Sequence, residues 1–148
     1  CYNLQNSNTK FSGLIPCNMF GKDDTSSHFI PTLIRKVRNA TDKIELHGTG
    51  EELRQFMFVD DFAMIIKQYL AEITPINLSC PFFNVAPATV YTVKQIAKLV
   101  ALIMNKPIDI VFNDIDNTQY RKDVSSDLLR EHMTLNFTDI ETALKATI

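Results

Sequence analysis

Apolar and polar residues along this chain switch repeatedly between an extended pattern and a helical one. Residues 10–15 form a strand-type run closed by Pro16. The polar stretch Gly21-Lys22-Asp23-Asp24-Thr25-Ser26-Ser27 that follows has no apolar face to bury, which predicts a surface loop. Phe29, Ile30, Leu33, Ile34 and Val37 then recur at the spacing of one helical face. That spacing predicts a helix from His28 to about Ala40, capped by Ser26 or Ser27, with Pro31 tolerated only in its first turn. Residues 44–47 and 55–59 are strand-like and flank Gly48-Thr49-Gly50, so these glycines read as a turn and not as a phosphate loop.

A second helix is predicted to start at Asp60-Asp61, whose carboxylates suit the positive end of a helix dipole. Phe62, Ile65, Ile66, Tyr69 and Leu70 supply its apolar stripe, and Thr74-Pro75 should stop it. Residues 82–85 and 108–112 read as strands, and between them Thr92 caps a third helix built on Val93, Ile96, Ala97, Val100 and Ile103. Residues 125–131 and 138–147 read as two short terminal helices, each opened by a Ser or Thr near an acid. Alternating strands and helices without repeats place the chain in the α/β or α+β class.

Composition narrows the function. At 148 residues, 45% apolar and 22% charged, the chain has the balance of one soluble globular domain with a real core. Fifteen basic and seventeen acidic residues leave a net charge of −2, so neither nucleic acid nor an anionic membrane is an expected partner, and any bound anion must be gripped locally. No run approaches the roughly 20 apolar residues that span a bilayer. The polar start Cys1-Tyr2-Asn3-Leu4-Gln5-Asn6 does not resemble a signal peptide, so a cytoplasmic setting is expected. Cys1, Cys17 and Cys80 are odd in number and far apart, which favours free thiols, and no cluster has metal-ligand spacing, so no metal is expected. The first residue is not Met, which suits a processed product or a piece of a longer gene.

Several segments occur in a telling order: Pro16-Cys17-Asn18-Met19-Phe20-Gly21, Ser27-His28-Phe29-Ile30-Pro31-Thr32-Leu33-Ile34-Arg35-Lys36, Gly48-Thr49-Gly50, Arg54-Gln55-Phe56-Met57-Phe58-Val59-Asp60-Asp61 and Arg121-Lys122. Over nearly its whole length the chain resembles the GDP-L-fucose synthase family. The Pro-x-Asn-x-aromatic-Gly and Arg-x-Phe-x-x-Val-Asp-Asp elements are shared across the extended short-chain dehydrogenase/reductase superfamily, whereas the Ser-His-x-Ile-Pro-x-Leu-Ile-Arg-Lys block is a narrower signal. The resemblance implies conversion of GDP-4-keto-6-deoxy-D-mannose to GDP-L-fucose by epimerisation at two carbons and reduction of the ketone with NADPH. It also implies two parts, an N-terminal Rossmann domain for NADP and a C-terminal region for the GDP-sugar. Residues 1–148 would be the latter: the last Rossmann strands plus a small α/β substrate-binding domain.

Neither a Gly-x-x-Gly-x-x-Gly fingerprint nor a Tyr-x-x-x-Lys pair occurs in the 148 residues. Both are expected before Cys1, because Cys1-Tyr2-Asn3-Leu4-Gln5 resembles the end of the helix that carries the Tyr-Lys pair. The expected partners are therefore a GDP-sugar substrate and a missing N-terminal half or homodimer partner, and the isolated chain is expected to be inactive as a reductase.

His28 has the sharpest candidate role. From the residues alone it reads as a cap or surface histidine; the resemblance matches it to a catalytic histidine that exchanges protons beside a ketone, opposite a cysteine that Cys17 does not replace. Lys36 and Arg54 match substrate-binding positions, where two cations from separate elements would neutralise a diphosphate. Lys36 reads equally as a solvated helix-end charge. His47 falls where the family usually has a tryptophan beside the nucleotide sugar, and Asp116 or Asn117 is comparable to a substrate-contacting loop position. Pro16, Cys17, Asn18 and Met19, with His28, match the segment that passes the nicotinamide end of NADP, although Pro and Asn are ordinary turn formers too. Asp60 and Asp61 read as helix-start scaffold, and Asn84-Val85-Ala86-Pro87-Ala88 replaces a turn that usually bears glycine. His47 and a shorter loop after Gly21 leave open another nucleotide-sugar epimerase or dehydratase, and a non-catalytic binding or interaction module is the second alternative.

Overall fold

Short apolar runs become strands that pair in parallel with partners far along the chain. The computed structural model describes residues 12–72, 82–113 and 119–148. Its elements are β1 (Gly13–Pro16), β2 (Asn18–Phe20), α1 (Phe29–Asn39), β3 (Lys43–Leu46), β4 (Leu53–Arg54), β5 (Phe56–Phe58), α2 (Val59–Glu72), β6 (Phe82–Val85), β7 (Tyr91–Thr92), α3 (Val93–Ile103), β8 (Asp109–Phe112), β9 (Arg121–Lys122), α4 (Asp127–Arg130) and α5 (Ile140–Thr147). Parallel pairs join β1 to β6, β2 to β5 and β3 to β8. β4 runs antiparallel to β7 and parallel to β9. The mixed α/β class expected from the sequence is the one observed.

The β2–β5 pair is a wall between two cores. Successive side chains on a strand face opposite ways, so Phe20, Phe56 and Phe58 pack into one core while Met19 and Met57 pack into the other. The first core is filled from α1, α3 and α5 by Leu33, Val37, Ile96, Val100 and Leu144, against Ile44 and Leu46 of β3. The second joins Phe83 and Val85 of β6 to Ile65 and Tyr69 of α2 and to Leu129, Met133 and Leu135. Apolar residues on both faces explain why the run around Phe56 lacks the alternation of a half-exposed strand. The strand expected over residues 55–59 is β5 alone, Phe56–Phe58, with Gln55 outside it and Val59 already in α2, while β4, Leu53–Arg54, precedes it and was not expected.

The helix starts differ from expectation. The N-cap of α1 is His28, whose side chain makes no capping bond; Ser26 acts two residues earlier, its Oγ accepting the His28 N–H at 3.3 Å. α2 begins one residue early, at Val59, and buries Ile65 and Tyr69, whereas Ile66 and Leu70 are 37% and 76% exposed. Only the side of that helix turned to Phe83 and Met57 is covered, so the predicted stripe was too wide. Thr92 caps α3 as expected, in a full capping box with Gln95. α5 is capped by Asp139 and not by Thr138, and α4 spans only four residues without a side-chain cap. Thr74-Pro75, the expected stop of α2, lies outside the described residues. Among the described residues no helix is long and apolar enough to cross a membrane.

Two buried polar side chains tie the segments together. The Gln55 Nε2 group donates to the carbonyls of Pro87 (2.8 Å) and Val124 (3.1 Å), and its Oε1 accepts the Val124 N–H at 2.8 Å. Ser126 Oγ accepts the Ala86 N–H at 2.7 Å and donates to the Ala86 carbonyl at 3.1 Å. The turn after β6, which lacks glycine, is thus held by side chains from both sides. Replacing Gln55 with Leu keeps the bulk but strands these backbone groups. We expect Gln55→Leu to lower the unfolding free energy by about 2–3 kcal/mol, read as a fall in the urea midpoint; a change below about 0.5 kcal/mol would show that water satisfies them instead.

Candidate functional site

The site is assembled where β1 and β3 end. Pro16 closes β1, and the Cys17 N–H bonds the Val85 carbonyl at 3.0 Å, which carries the chain across β6 into β2. Asn18 opens β2, its Nδ2 donating to the Gln55 carbonyl at 3.0 Å. The segment 16–19 therefore runs along a cavity of about 760 Å³ that also touches Lys22, His28 and Lys122. A second cavity, of about 380 Å³, is bordered by His28, Lys36, His47, Glu52 and Arg54. Asn18, Met19 and His28 border both.

Four candidate residues from three separate elements thus line one wall. His28 is exposed at the start of α1. The loop before it is braced at Ser26, whose carbonyl accepts from Arg35 Nη2 at 2.9 Å and whose N–H is accepted by Asp24 at 2.8 Å. Hydrogen bonds from the Ser26 hydroxyl and, next, the Ser26 N–H hold the Asp24 carboxyl below the usual carboxylate range. Lys36, in the last turn of α1, donates to the Glu45 carbonyl at 2.6 Å. Arg54, on β4, donates to the carbonyls of Leu53 (2.8 Å), Tyr120 (3.3 Å) and Gln119 (2.7 Å). Among the described residues neither cation forms a salt bridge, and the smaller cavity is bordered by these two cations and one carboxylate, Glu52.

Glu52 was not singled out from the sequence. It is 4% exposed, and its carboxylate accepts the Thr49 N–H at 2.8 Å, the Thr49 hydroxyl at 3.2 Å and the Gly50 N–H at 2.9 Å. This closes the Gly48-Thr49-Gly50 turn, where φ is +91° at Gly48 and +83° at Gly50, values that L side chains resist. The Thr-x-x-Glu spacing of Thr49 and Glu52 was the available signal, because it is the capping-box spacing used here without a helix. His47 leaves β3 just before the turn, its Nδ1 2.8 Å from Asn113 Nδ2. Asp61 binds the Thr138 N–H and hydroxyl at 2.8 and 2.7 Å, tying α2 to the segment before α5. Asp116 and Asn117 lie outside the described residues.

Two cavities lie at the carboxyl ends of parallel strands of an α/β protein, and Lys36 and Arg54 border the smaller one. The profile of the NAD dependent epimerase/dehydratase family matches residues 1–79, and the chain belongs to that family. GDP-L-colitose synthase of Yersinia pseudotuberculosis is 30% identical over 98% of this chain and 49% of its own length. GDP-L-fucose synthase of Dictyostelium discoideum is 31% identical over 92% of this chain and 45% of its own. The chain thus spans about half the length of these curated relatives. A GDP-L-fucose synthetase from Naegleria fowleri bound to NADP superposes with a TM-score of 0.79 at 27% identity, over 93% of this chain and 45% of that one. The GDP-mannoheptose C4 reductase from Campylobacter jejuni shares the fold at a TM-score of 0.83 and 21% identity, over 98% of this chain and 50% of that one.

Cys17 borders the larger cavity, but burial pushes its thiol up to about 11. A raised thiol pKa keeps the group protonated at neutral pH and removes its nucleophilic form. With iodoacetamide at pH 8, resolved by peptide mass spectrometry, Cys17 should alkylate at least about tenfold more slowly in the folded chain than in urea, and the folded rate should climb only as pH passes 10. Equal folded and unfolded rates at pH 8 would contradict it.

Proposed function

We propose that residues 1–148 are the substrate-binding region of an NADP-dependent GDP-sugar epimerase-reductase of the GDP-L-fucose synthase type. The observation that carries this reading is the meeting of His28, Lys36, His47 and Arg54 on one cavity of about 380 Å³, adjoining a larger one along segment 16–19. In this reading Lys36 and Arg54 exchange some of their carbonyl contacts for the diphosphate of the nucleotide, with Arg54 offering bidentate geometry. The sugar then extends toward His28, which borders both cavities and moves a proton at the carbon beside the ketone. Pro16, Cys17, Asn18 and Met19 face the nicotinamide end of the cofactor, and NADPH, when bound, supplies the hydride for the ketone.

A cofactor-binding region, in the same polypeptide or a second one, completes such an enzyme, and GDP-4-keto-6-deoxy-D-mannose is the substrate that the family resemblance implies. The Yersinia relative, a GDP-L-colitose synthase, and the histidine at position 47 favour a related GDP-sugar as the second reading.

GDP at one hundred times its dissociation constant should raise the unfolding free energy of the 148-residue chain by about 2.7 kcal/mol, seen as a higher Tm. UDP and dTDP should act at higher concentration or not at all. Lys36→Ala or Arg54→Ala should weaken GDP by about tenfold, because each removes a charge-assisted contact. An unchanged Tm at millimolar GDP would sink the reading. With the keto-sugar present, the 148-residue chain should oxidise no NADPH, since it contains no Tyr-x-x-x-Lys pair to support hydride transfer; measurable turnover would overturn that half of the proposal.

A further inference from the structure

The register of β3 and β8 pairs Leu46 with Phe112, so the next residues on each strand, His47 and Asn113, emerge side by side. The Asn113 N–H extends the ladder by one bond, to the Leu46 carbonyl at 3.1 Å. Beyond it the side chain takes over. Gly48, at its positive φ, turns its N–H onto Asn113 Oδ1 at 3.2 Å. That contact fixes which end of the amide is oxygen, and the NH₂ end then faces His47 Nδ1 at 2.8 Å. An amide NH₂ has only hydrogens to offer, so Nδ1 must accept, and the ring proton sits on Nε2. The far side of the same turn is clamped by Glu52 through Thr49 and Gly50. An exposed histidine is thereby held in one tautomer on a turn fixed at both ends.

We infer that Asn113 is a positioning residue that sets His47 as an Nε2–H donor, and that His47 gives this hydrogen bond to an oxygen of the nucleotide sugar in the smaller cavity. The second clause rests on the GDP-sugar reading; the first does not. Lys36 and Arg54 border the same cavity, so an oxygen-rich anion drawn there brings acceptors, either phosphate oxygens or sugar hydroxyls, within reach of its wall. Where the resembling family has a tryptophan face for stacking, this chain has a directional donor. The site then selects by hydrogen bonding, which discriminates against a ligand lacking the acceptor more sharply than apolar contact does.

The test uses the ¹⁵N-labelled 148-residue chain. Long-range ¹H–¹⁵N correlation, with His47 assigned by its loss in His47→Gln, should show His47 Nδ1 unprotonated and Nε2 protonated. Asn113→Asp keeps an acceptor for the Gly48 N–H but replaces the donor facing Nδ1 with an acceptor, so it should move the proton to Nδ1. A His47 tautomer that is already Nδ1–H, or that is unmoved in Asn113→Asp, overturns the positioning role whether or not any nucleotide binds.

Calorimetric titration with GDP and GDP-mannose reads the second clause. His47→Ala and Asn113→Asp should bind about fivefold more weakly, and His47→Gln, whose amide can donate from nearly the same place as Nε2, should stay within about twofold of the parent. Equal losses for both ligands assign the acceptor to the diphosphate, and a loss for GDP-mannose alone assigns it to the hexose. A parent chain that binds both, with all three variants binding equally well, overturns the donor role. A parent that binds neither removes the GDP-sugar reading and the donor role together, while the tautomer result still decides on Asn113.

Discussion

The amide of Gln55 joins three segments that lie far apart in sequence: β4 and β5 on its own stretch, the turn at Pro87 after β6, and Val124 before α4. Both N–H groups and the oxygen of the amide bond to backbone groups, and the Gln55 backbone carbonyl receives Asn18 from β2. A buried amide that is fully bonded costs little, whereas the same group with a partner missing is expensive, so this knot tolerates few rearrangements. Ser126 repeats the device on Ala86. Between them these two side chains fix the turn after β6 against β5 and the segment before α4, and Gln55 and Val124 themselves border the larger cavity.

The wall formed by β2 and β5 has a second consequence. Because its residues face two cores alternately, neither strand can slip by one position without turning phenylalanine and methionine into the wrong core. Asn18, at the start of that wall, and His28, at the start of the helix that covers it, are therefore placed where the two cavities meet. In the proposed function this is where sugar and cofactor come together. Lys36 and Arg54 stand apart from that junction on different elements, each held by carbonyl contacts, and neither forms a salt bridge among the described residues.

The Gly48-Thr49-Gly50 turn shows how a loop becomes a rigid part of a site. Positive φ at both glycines makes room, Glu52 satisfies the turn from inside, and Asn113 holds it from the neighbouring strand. His47 inherits that rigidity. The turn could have been a phosphate loop on composition alone; its amides are instead occupied by the protein's own carboxylate and amide, so any ligand at this wall meets side chains and not a cradle of N–H groups.

Much of this was legible in the sequence because it depends on local chemistry. The stripe of α1, the capping box of α3 and the glycine turn are each set by residues within a few positions of one another, and the ordered motifs around Asn18, His28 and Arg54 pointed to the family that residues 1–79 match. What failed depended on distant partners. The stripe of α2 was drawn too wide because periodicity cannot say which neighbour covers it, and β4, β7 and β9 are two-residue strands that exist only through each other. Glu52 looked like one acid among seventeen until the fold buried it under a turn, and Asn113 like a strand-end polar residue until the register set it beside His47. The sequence by itself determined the elements and the candidate chemistry, since propensity and capping act over a few residues; tertiary structure alone decided which side chains meet and which way they are turned, since long-range pairing and burial fix distances that no local pattern encodes.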